Sequence, residues 1–296
     1  MRVLIVGCGY IGLPLGAELA RQGHAVFGLR RSALAEAEMK AAGITPLHAD
    51  ITQPETLAHI PRDFDWVVNC TASGGGGPED YREIYLEGNR NLVAWLAGSA
   101  LKKFVYTSST SVYGQNDGSV VTEASPADPE APTAKVLVET ENMLLEPAGS
   151  RSPHQNFPAV ILRVAGIYGP GRGHWFKAFL RGDARLEGDG ARMLNMIHRD
   201  DLIGVIIAAL RGGRPGEIYN AVDHEPVSQR AFFEWLAAEL QRPLPPAVPE
   251  DPEAGRRRGT TNKRVSNAKL MAELKYEFLF PDFRRGYTAE IARLVV

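Results

Sequence analysis

A chain of 296 residues, 44% hydrophobic and 23% charged, can bury a sizeable core in one large α/β domain or in a domain with a smaller lobe. Its formal net charge of −2 excludes a general electrostatic pull toward nucleic acid or an anionic membrane. No apolar run approaches the ~18 residues that span a bilayer, and the two cysteines, Cys8 and Cys70, suit a reducing cytoplasm and the role of small packing residues.

The first expected strand, 2–6, runs through Val3-Leu4-Ile5-Val6 into Gly7-Cys8-Gly9-Tyr10-Ile11-Gly12, and a helix is expected over 12–22. In that strand–turn–helix setting the three glycines have separate jobs. Gly7 permits the tight turn, Gly9 lets the backbone approach a pyrophosphate, and Gly12 lets the helix pack on the strand. The anion then sits on the unpaired amides at the helix N-terminus. Arg2 before an apolar stretch also has the outline of a secretory leader, but Glu18 and the glycines interrupt it, so a first strand is expected instead.

Further strands at 25–29, 45–48, 66–70 and 103–107 alternate with helices at 33–42 and 81–99, which predicts a doubly wound parallel sheet of the Rossmann kind. Another strand, 158–164, follows a helix that begins near Pro132, where a proline suits the first turn. Past Tyr168-Gly169-Pro170-Gly171 the pattern loosens into helices at 175–181, 200–210 and 228–240 and a strand at 217–221. The stretch 243–259 is rich in proline, glycine and charge and reads as a long loop. The expected organisation is a dinucleotide-binding domain over 1–168 and a smaller lobe over 169–296, interleaved with elements that return to the large domain.

The second strand emerges at Arg30-Arg31-Ser32, where an aspartate would hold the ribose 2′-hydroxyl of NAD. A guanidinium there offers a 2′-phosphate a charge-assisted clamp, which points to NADP rather than NAD. Asp50, beside Ile51 at the end of the third strand, is a candidate partner for the adenine amino group. The run 66–72 should bring Cys70, Thr71 and Ala72 close to the ribose and pyrophosphate, because ligands bind beyond the carboxyl ends of the strands.

Other segments extend the pattern: Phe104-Val105-Tyr106-Thr107-Ser108-Ser109-Thr110-Ser111-Val112-Tyr113-Gly114, Leu162-Arg163-Val164-Ala165-Gly166-Ile167-Tyr168-Gly169-Pro170-Gly171, Ile197-His198-Arg199-Asp200-Asp201 and Ile218-Tyr219-Asn220. Together with the glycine loop they resemble, over nearly the whole chain, the extended and atypical short-chain dehydrogenase/reductases of the NAD-dependent epimerase/dehydratase group. The resemblance implies a catalytic Ser, Tyr and Lys, with Tyr and Lys four apart on one helix face. Ser109 takes the serine position and Lys135 the lysine position, followed by Glu139. Lys135 and Val164 complete the implied cofactor contacts, beside Gly7, Gly9, Tyr10, Ile11 and Gly12.

Two departures from that pattern stand out. The tyrosine position is Ala131, next to Pro132, and carries no ionisable group; nearby Thr133 is a far weaker acid than a phenol. Tyr113, four residues past Ser109, is the candidate surrogate, with a wall role in the pocket as the alternative. Tyr85 stands where active relatives have an asparagine. The pattern is that of the atypical branch, whose members often keep the cofactor site and lack the usual active site.

The resemblance also implies a nucleotide sugar or polyol-like ligand. Candidate groups for it are Ser73-Gly74-Gly75-Gly76-Gly77, Arg172, His174, Trp175, Asn195 and His198, with Arg256-Arg257-Arg258 as a further anion site or a solvated loop. Trp175, next to Phe176 and Phe179, is equally compatible with packing. No metal-ligand spacing or nucleophile elbow is present. The expected protein is therefore an NADP-binding oxidoreductase or epimerase/dehydratase-like enzyme, monomeric or homodimeric, with a non-standard active site. The rival is a non-catalytic regulator or scaffold that responds to NADP.

Overall fold

The computed structural model describes residues 1–146, 157–249 and 261–294. In chain order the elements are β1 (Arg2–Val6), α1 (Gly12–Arg21), β2 (Ala25–Arg30), α2 (Glu36–Ala41), β3 (Ile44–His48), α3 (Pro54–Leu57), β4 (Trp66–Asn69), α4 (Pro78–Tyr81), α5 (Gly88–Leu96), β5 (Lys103–Ser109) and β6 (Val120–Val121). They continue with α6 (Pro132–Leu144), β7 (Ala159–Val164), β8 (Gly166–Tyr168), α7 (His174–Arg181), β9 (Leu186–Glu187), β10 (Met193–Leu194), β11 (Met196–His198), α8 (Arg199–Gly212) and β12 (Ile218–Ala221). The last are β13 (Val227–Ser228), α9 (Gln229–Leu240), β14 (Ala247–Val248), β15 (Arg264–Val265), α10 (Ala268–Leu274) and α11 (Phe283–Ala292).

The central sheet has seven strands in the order β12-β7-β5-β4-β1-β2-β3. β1 lies parallel between β2 and β4, with Val3 opposite both Val26 and Trp66. These strands are apolar through their middles because helices cover both faces of a parallel sheet; Val3, Leu4 and Ile5 have no exposed surface. The strand order reverses between β1 and β4, and in open α/β sheets ligands bind at such a switch point, beyond the strand ends. The doubly wound Rossmann fold expected from the alternation of strands and helices is present.

The described chain divides into two compact units. The first comprises 1–109, 132–163 and 206–219, and the second 110–131, 164–205 and 220–296. Beside the expected 1–168 and an interleaved 169–296, 110–131 and 164–168 fall in the second unit and 206–219 returns to the first. The first unit has a core of sheet and helix residues such as Leu4, Val67, Leu92, Tyr106, Val136 and Ile161. The second is built on aromatic packing: Tyr168, Phe176, Phe179, Phe232, Phe233, Phe283 and Tyr287. Short strands frame it, β8 with β11, β9 with β14, β10 with β13 and β6 with β15.

Three local differences from the sequence pattern have physical reasons. The helix expected over 81–99 begins earlier, at Pro78, and is interrupted by a π-helical segment, Arg82–Glu87. The Asn89 side chain donates to the Tyr85 carbonyl at 2.6 Å, giving that carbonyl a partner. The loop expected over 243–259 contains a strand, because Ala247 and Val248 pair with Leu186 and Glu187; the remainder from 250 lies outside the described residues. Helix α11 escaped the periodicity because its charged residues dilute the apolar stripe, yet Asp282 caps it by accepting from the Arg285 amide at 3.0 Å.

Candidate functional site

The glycine loop leaves β1 with its amides tied to neighbours. Gly7 donates to the Leu29 carbonyl and Gly9 to the Gly7 carbonyl. Gly7 has φ +89°, and a Cβ there would stand 2.8 Å from the Thr71 nitrogen, so no other residue fits. A Cβ on Gly12 would lie 2.3 Å from the Gly7 carbonyl oxygen. Gly9 is different: it is exposed, and nothing lies within 4 Å of where its Cβ would be. The loop is thus closed against protein at both ends and open in its middle, a cradle of the kind a pyrophosphate fills. Tyr10 is half-buried, while Ile11 is buried at the start of α1.

Arg30 and Arg31 have separate surroundings. The half-buried Arg30 donates through Nη1 to the Cys8 carbonyl at 3.2 Å and so braces the glycine loop. Arg31 is exposed and lies 3.8 Å from the Asp50 carboxylate. The Ser32 hydroxyl accepts from the Leu34 amide, which opens a short 3-10 turn. Asp50 Oδ1 accepts from the amide and hydroxyl of Thr52 at 3.0 and 2.9 Å, so this carboxylate shapes its own turn while facing Arg31. Ile51 is buried beside Gly88.

At the end of β4, Cys70 and Thr71 lie directly against Gly7, and Ala72 is exposed. Burial pushes the Cys8 thiol up to about 12 despite the Arg30 charge, and burial next to Cys8 raises Cys70 as well. Neutral thiols of this kind are packing groups rather than nucleophiles. Beneath them runs a network that the sequence did not announce. Asn69 Nδ2 donates to Asn89 Oδ1 at 3.0 Å, Asn69 Oδ1 accepts from the Thr71 amide and hydroxyl, and the Thr107 hydroxyl donates to the Asn69 carbonyl. Two asparagines twenty residues apart carry no motif; only the packing of α5 on β4 joins them.

Ser109 ends β5, half-buried, and Lys135 stands exposed on α6 in the same unit. Among the described residues no carboxylate lies within ion-pair distance of the Lys135 ammonium. Glu139, one turn on, is taken by Arg82, which donates to both its oxygens at 3.1 and 2.6 Å and holds its carboxyl below the usual range. Ala131 precedes the helix, which begins at Pro132, and Thr133 is half-buried in its first turn. The Tyr85 hydroxyl accepts from the Ser73 amide at 3.0 Å and so anchors the loop after β4.

Tyr113 and Val164 are assigned to the second unit, and the remaining cofactor and catalytic candidates to the first. Tyr113 has no exposed surface, and its hydroxyl donates to Asn220 Oδ1 at 2.8 Å. That gives the phenol a structural task, in keeping with the wall role weighed beside the proton-carrier one. Val164 is buried at the end of β7.

The ligand candidates of the second unit separate in the same way. His198 is wholly buried between Tyr168 and Phe280, with Nε2 3.3 Å from Glu290, so it is a core histidine rather than a pocket group. Asn195 clamps the chain around β15, donating to the Lys263 carbonyl and accepting from the Val265 amide. Trp175 packs edge-on against Phe233 and carries Arg192 over its ring at 5.2 Å, which fits packing rather than a stacking platform. Arg172 and His174 are exposed, as are Gly74 to Gly77. Arg256, Arg257 and Arg258 lie outside the described residues. Among the described residues no cluster of three metal-ligating side chains occurs, and no helix is long and apolar enough to cross a membrane.

Comparison with known proteins accords with this geometry. The chain is 29% identical over 291 residues to the protein YeeZ of Escherichia coli, covering 95% of this chain and 97% of that one. It is 31% identical to a putative NAD-dependent epimerase/dehydratase from Methylobacillus flagellatus, with a TM-score of 0.77 and coverage of 100% and 99%. The UDP-glucuronic acid 4-epimerase of Bacillus cereus, solved with UDP-glucuronic acid and NAD, shares the fold at 22% identity, with a TM-score of 0.79 over 99% of this chain and 100% of that one. The model of the NAD dependent epimerase/dehydratase family matches residues 3–221, and the chain belongs to that family.

Proposed function

We propose that this chain is an NADP-dependent oxidoreductase of the epimerase/dehydratase family, acting on a carbonyl, an alcohol or a nucleotide-sugar-like ligand with a non-standard active site. The carrying observation is the open middle of the glycine loop, flanked by an exposed guanidinium. Gly9 has nothing within 4 Å of a would-be Cβ, and among the described residues the one charged partner of the exposed Arg31 is Asp50 at 3.8 Å. Gly7, Gly9, Tyr10, Ile11 and Gly12 would hold the diphosphate, with Cys70, Thr71 and Ala72 along its flank. Arg31 and Ser32 would take the 2′-phosphate, Arg30 would brace the loop, and Asp50 and Ile51 would bound the adenine. Lys135 would orient the nicotinamide ribose. When bound, the nicotinamide supplies or accepts hydride.

Ser109 would donate a hydrogen bond to the reacting oxygen and hold it in line. The Bacillus epimerase carries NAD and a nucleotide sugar, which supports a ligand of that kind here. The reason to propose NADP for this chain is its own pair of arginines, since a carboxylate at the same place would repel the extra phosphate.

Fluorescence titration tests the assignment. NADPH should bind more tightly than NADH, and Arg31→Asp should reverse the order, because Arg31, unlike Arg30, is not occupied with the loop. Equal affinities in the unaltered protein would remove the NADP assignment, and no binding of either nucleotide would remove the cofactor reading altogether.

A further inference from the structure

The resemblance puts the catalytic phenol at residue 131, which here is Ala131, and α6 begins only after it. A phenol stands on the neighbouring helical stretch instead. Tyr85 lies in the π-helical segment Arg82–Glu87, and insertions of this type are frequent at functional sites. Its backbone is held by Asn89, which donates to the Tyr85 carbonyl at 2.6 Å and accepts from Asn69 of β4 at 3.0 Å. Its hydroxyl accepts from the Ser73 amide at 3.0 Å. Ser73 follows Cys70 and Thr71, the residues that touch Gly7. The phenol oxygen is therefore held on the loop that follows β4, two residues beyond Thr71.

The π-helical segment also meets α6 through an ion pair. Arg82, in the same π-helical segment, grips Glu139 through both carboxylate oxygens. Glu139 is four residues beyond Lys135, so the two share a face of α6. Because the hydroxyl only accepts from Ser73, its own proton has no acceptor among the described residues. Tyr81, at 4.9 Å between ring centroids, covers its other side. The remaining tyrosine of this cluster, Tyr106, is wholly buried and cannot reach a ligand.

We propose that Tyr85 is the proton carrier of this enzyme, a phenol relocated from the start of α6 to the π-helical segment. The assignment rests on the oxidoreductase reading given above. In the reducing direction the Tyr85 O–H bond breaks as an O–H bond forms on the ligand oxygen, and the phenolate regains a proton from water. In the oxidising direction the phenolate takes the alcohol proton. Ser109 would hold the oxygen, Lys135 would supply a positive charge from α6, and the Ser73 amide would steady the phenolate oxygen.

Three measurements on the full chain decide this. NADPH titration by fluorescence comes first, and Tyr85→Phe should leave the affinity within a few-fold of the unaltered protein. Tyr85 acetylation by N-acetylimidazole, mapped by mass spectrometry in the unaltered protein, should slow severalfold when NADPH is saturating. Turnover of NADPH with 9,10-phenanthrenequinone and a set of small aldehydes should fall about 100-fold or more in kcat for Tyr85→Phe, with KM little changed. Unaltered turnover in Tyr85→Phe, acetylation at the same rate with and without NADPH, or bound NADPH that no carbonyl of the set oxidises would each overturn the assignment. Failure of the unaltered protein to bind NADPH is a separate result, because it removes the cofactor reading itself.

Discussion

At the scale of single residues, burial decides what a group can do. Lys263 is only 3% exposed, and its ammonium donates to the Tyr113 carbonyl at 2.8 Å and to the Thr261 hydroxyl. Burial lowers its pKa from 10.5 to about 8. Between those values the unfolded chain binds a proton that the folded chain releases, so folding is favoured as pH rises through that window. Below pH 8 the cost of the buried charge is fully present. Raising the pH from 7 to 9.5 should therefore stabilise the natural protein relative to Lys263→Met by about 2 kcal/mol. Urea unfolding of both at the two pH values measures it; a difference that does not move with pH would show that the ammonium keeps its charge when folded.

At the scale of elements, one buried ion pair joins α6 to the sheet. Arg163 of β7 donates to both oxygens of Glu141 through Nε at 3.2 and 3.1 Å and through Nη2 at 2.7 Å, and the Ser108 hydroxyl at the end of β5 donates to the same carboxylate. Arg163 and Glu141 are 4% and 2% exposed, so removing one partner strands a charge in the interior. Glu141→Ala should destabilise the protein by about 3 kcal/mol or more, read from urea unfolding. Arg163→Met with Glu141→Leu should recover part of the loss, because an apolar pair of similar volume has no charge to desolvate. Replacement of Glu139, whose contact with Arg82 is exposed, should cost about 1 kcal/mol at most.

At the scale of the whole molecule, ligand binding and folding are linked. If the glycine loop holds a dinucleotide, NADPH at a hundredfold excess over its Kd should stabilise the fold by about 2.7 kcal/mol. Gly9→Ala should melt at the temperature of the unaltered protein yet lose this increment, since its methyl group meets no protein atom and occupies the cradle. Gly12→Ala should melt lower with or without nucleotide, because its methyl group collides with the Gly7 carbonyl. Thermal unfolding of the three proteins, with and without NADPH, separates the two effects. A Gly9→Ala protein that keeps the full increment would place the dinucleotide elsewhere.

The order of strands and helices in the first half was legible along the chain because its signals are local. Strand-length apolar runs, the spacing of Gly7, Gly9 and Gly12 and the proline at 132 each act through neighbours a few residues away. The membership of the family followed from the same segments, in order. What the chain by itself left open depended on partners far apart in sequence. Tyr113 and His198 look functional until Asn220 and Glu290 are seen to claim their polar atoms, and Asn69 meets Asn89 only across β4 and α5. Arg30 and Arg31 are adjacent and chemically alike, yet one is turned back onto the Cys8 carbonyl and the other left in solvent. Local periodicity determines which elements form; long-range packing determines which polar atoms remain for chemistry.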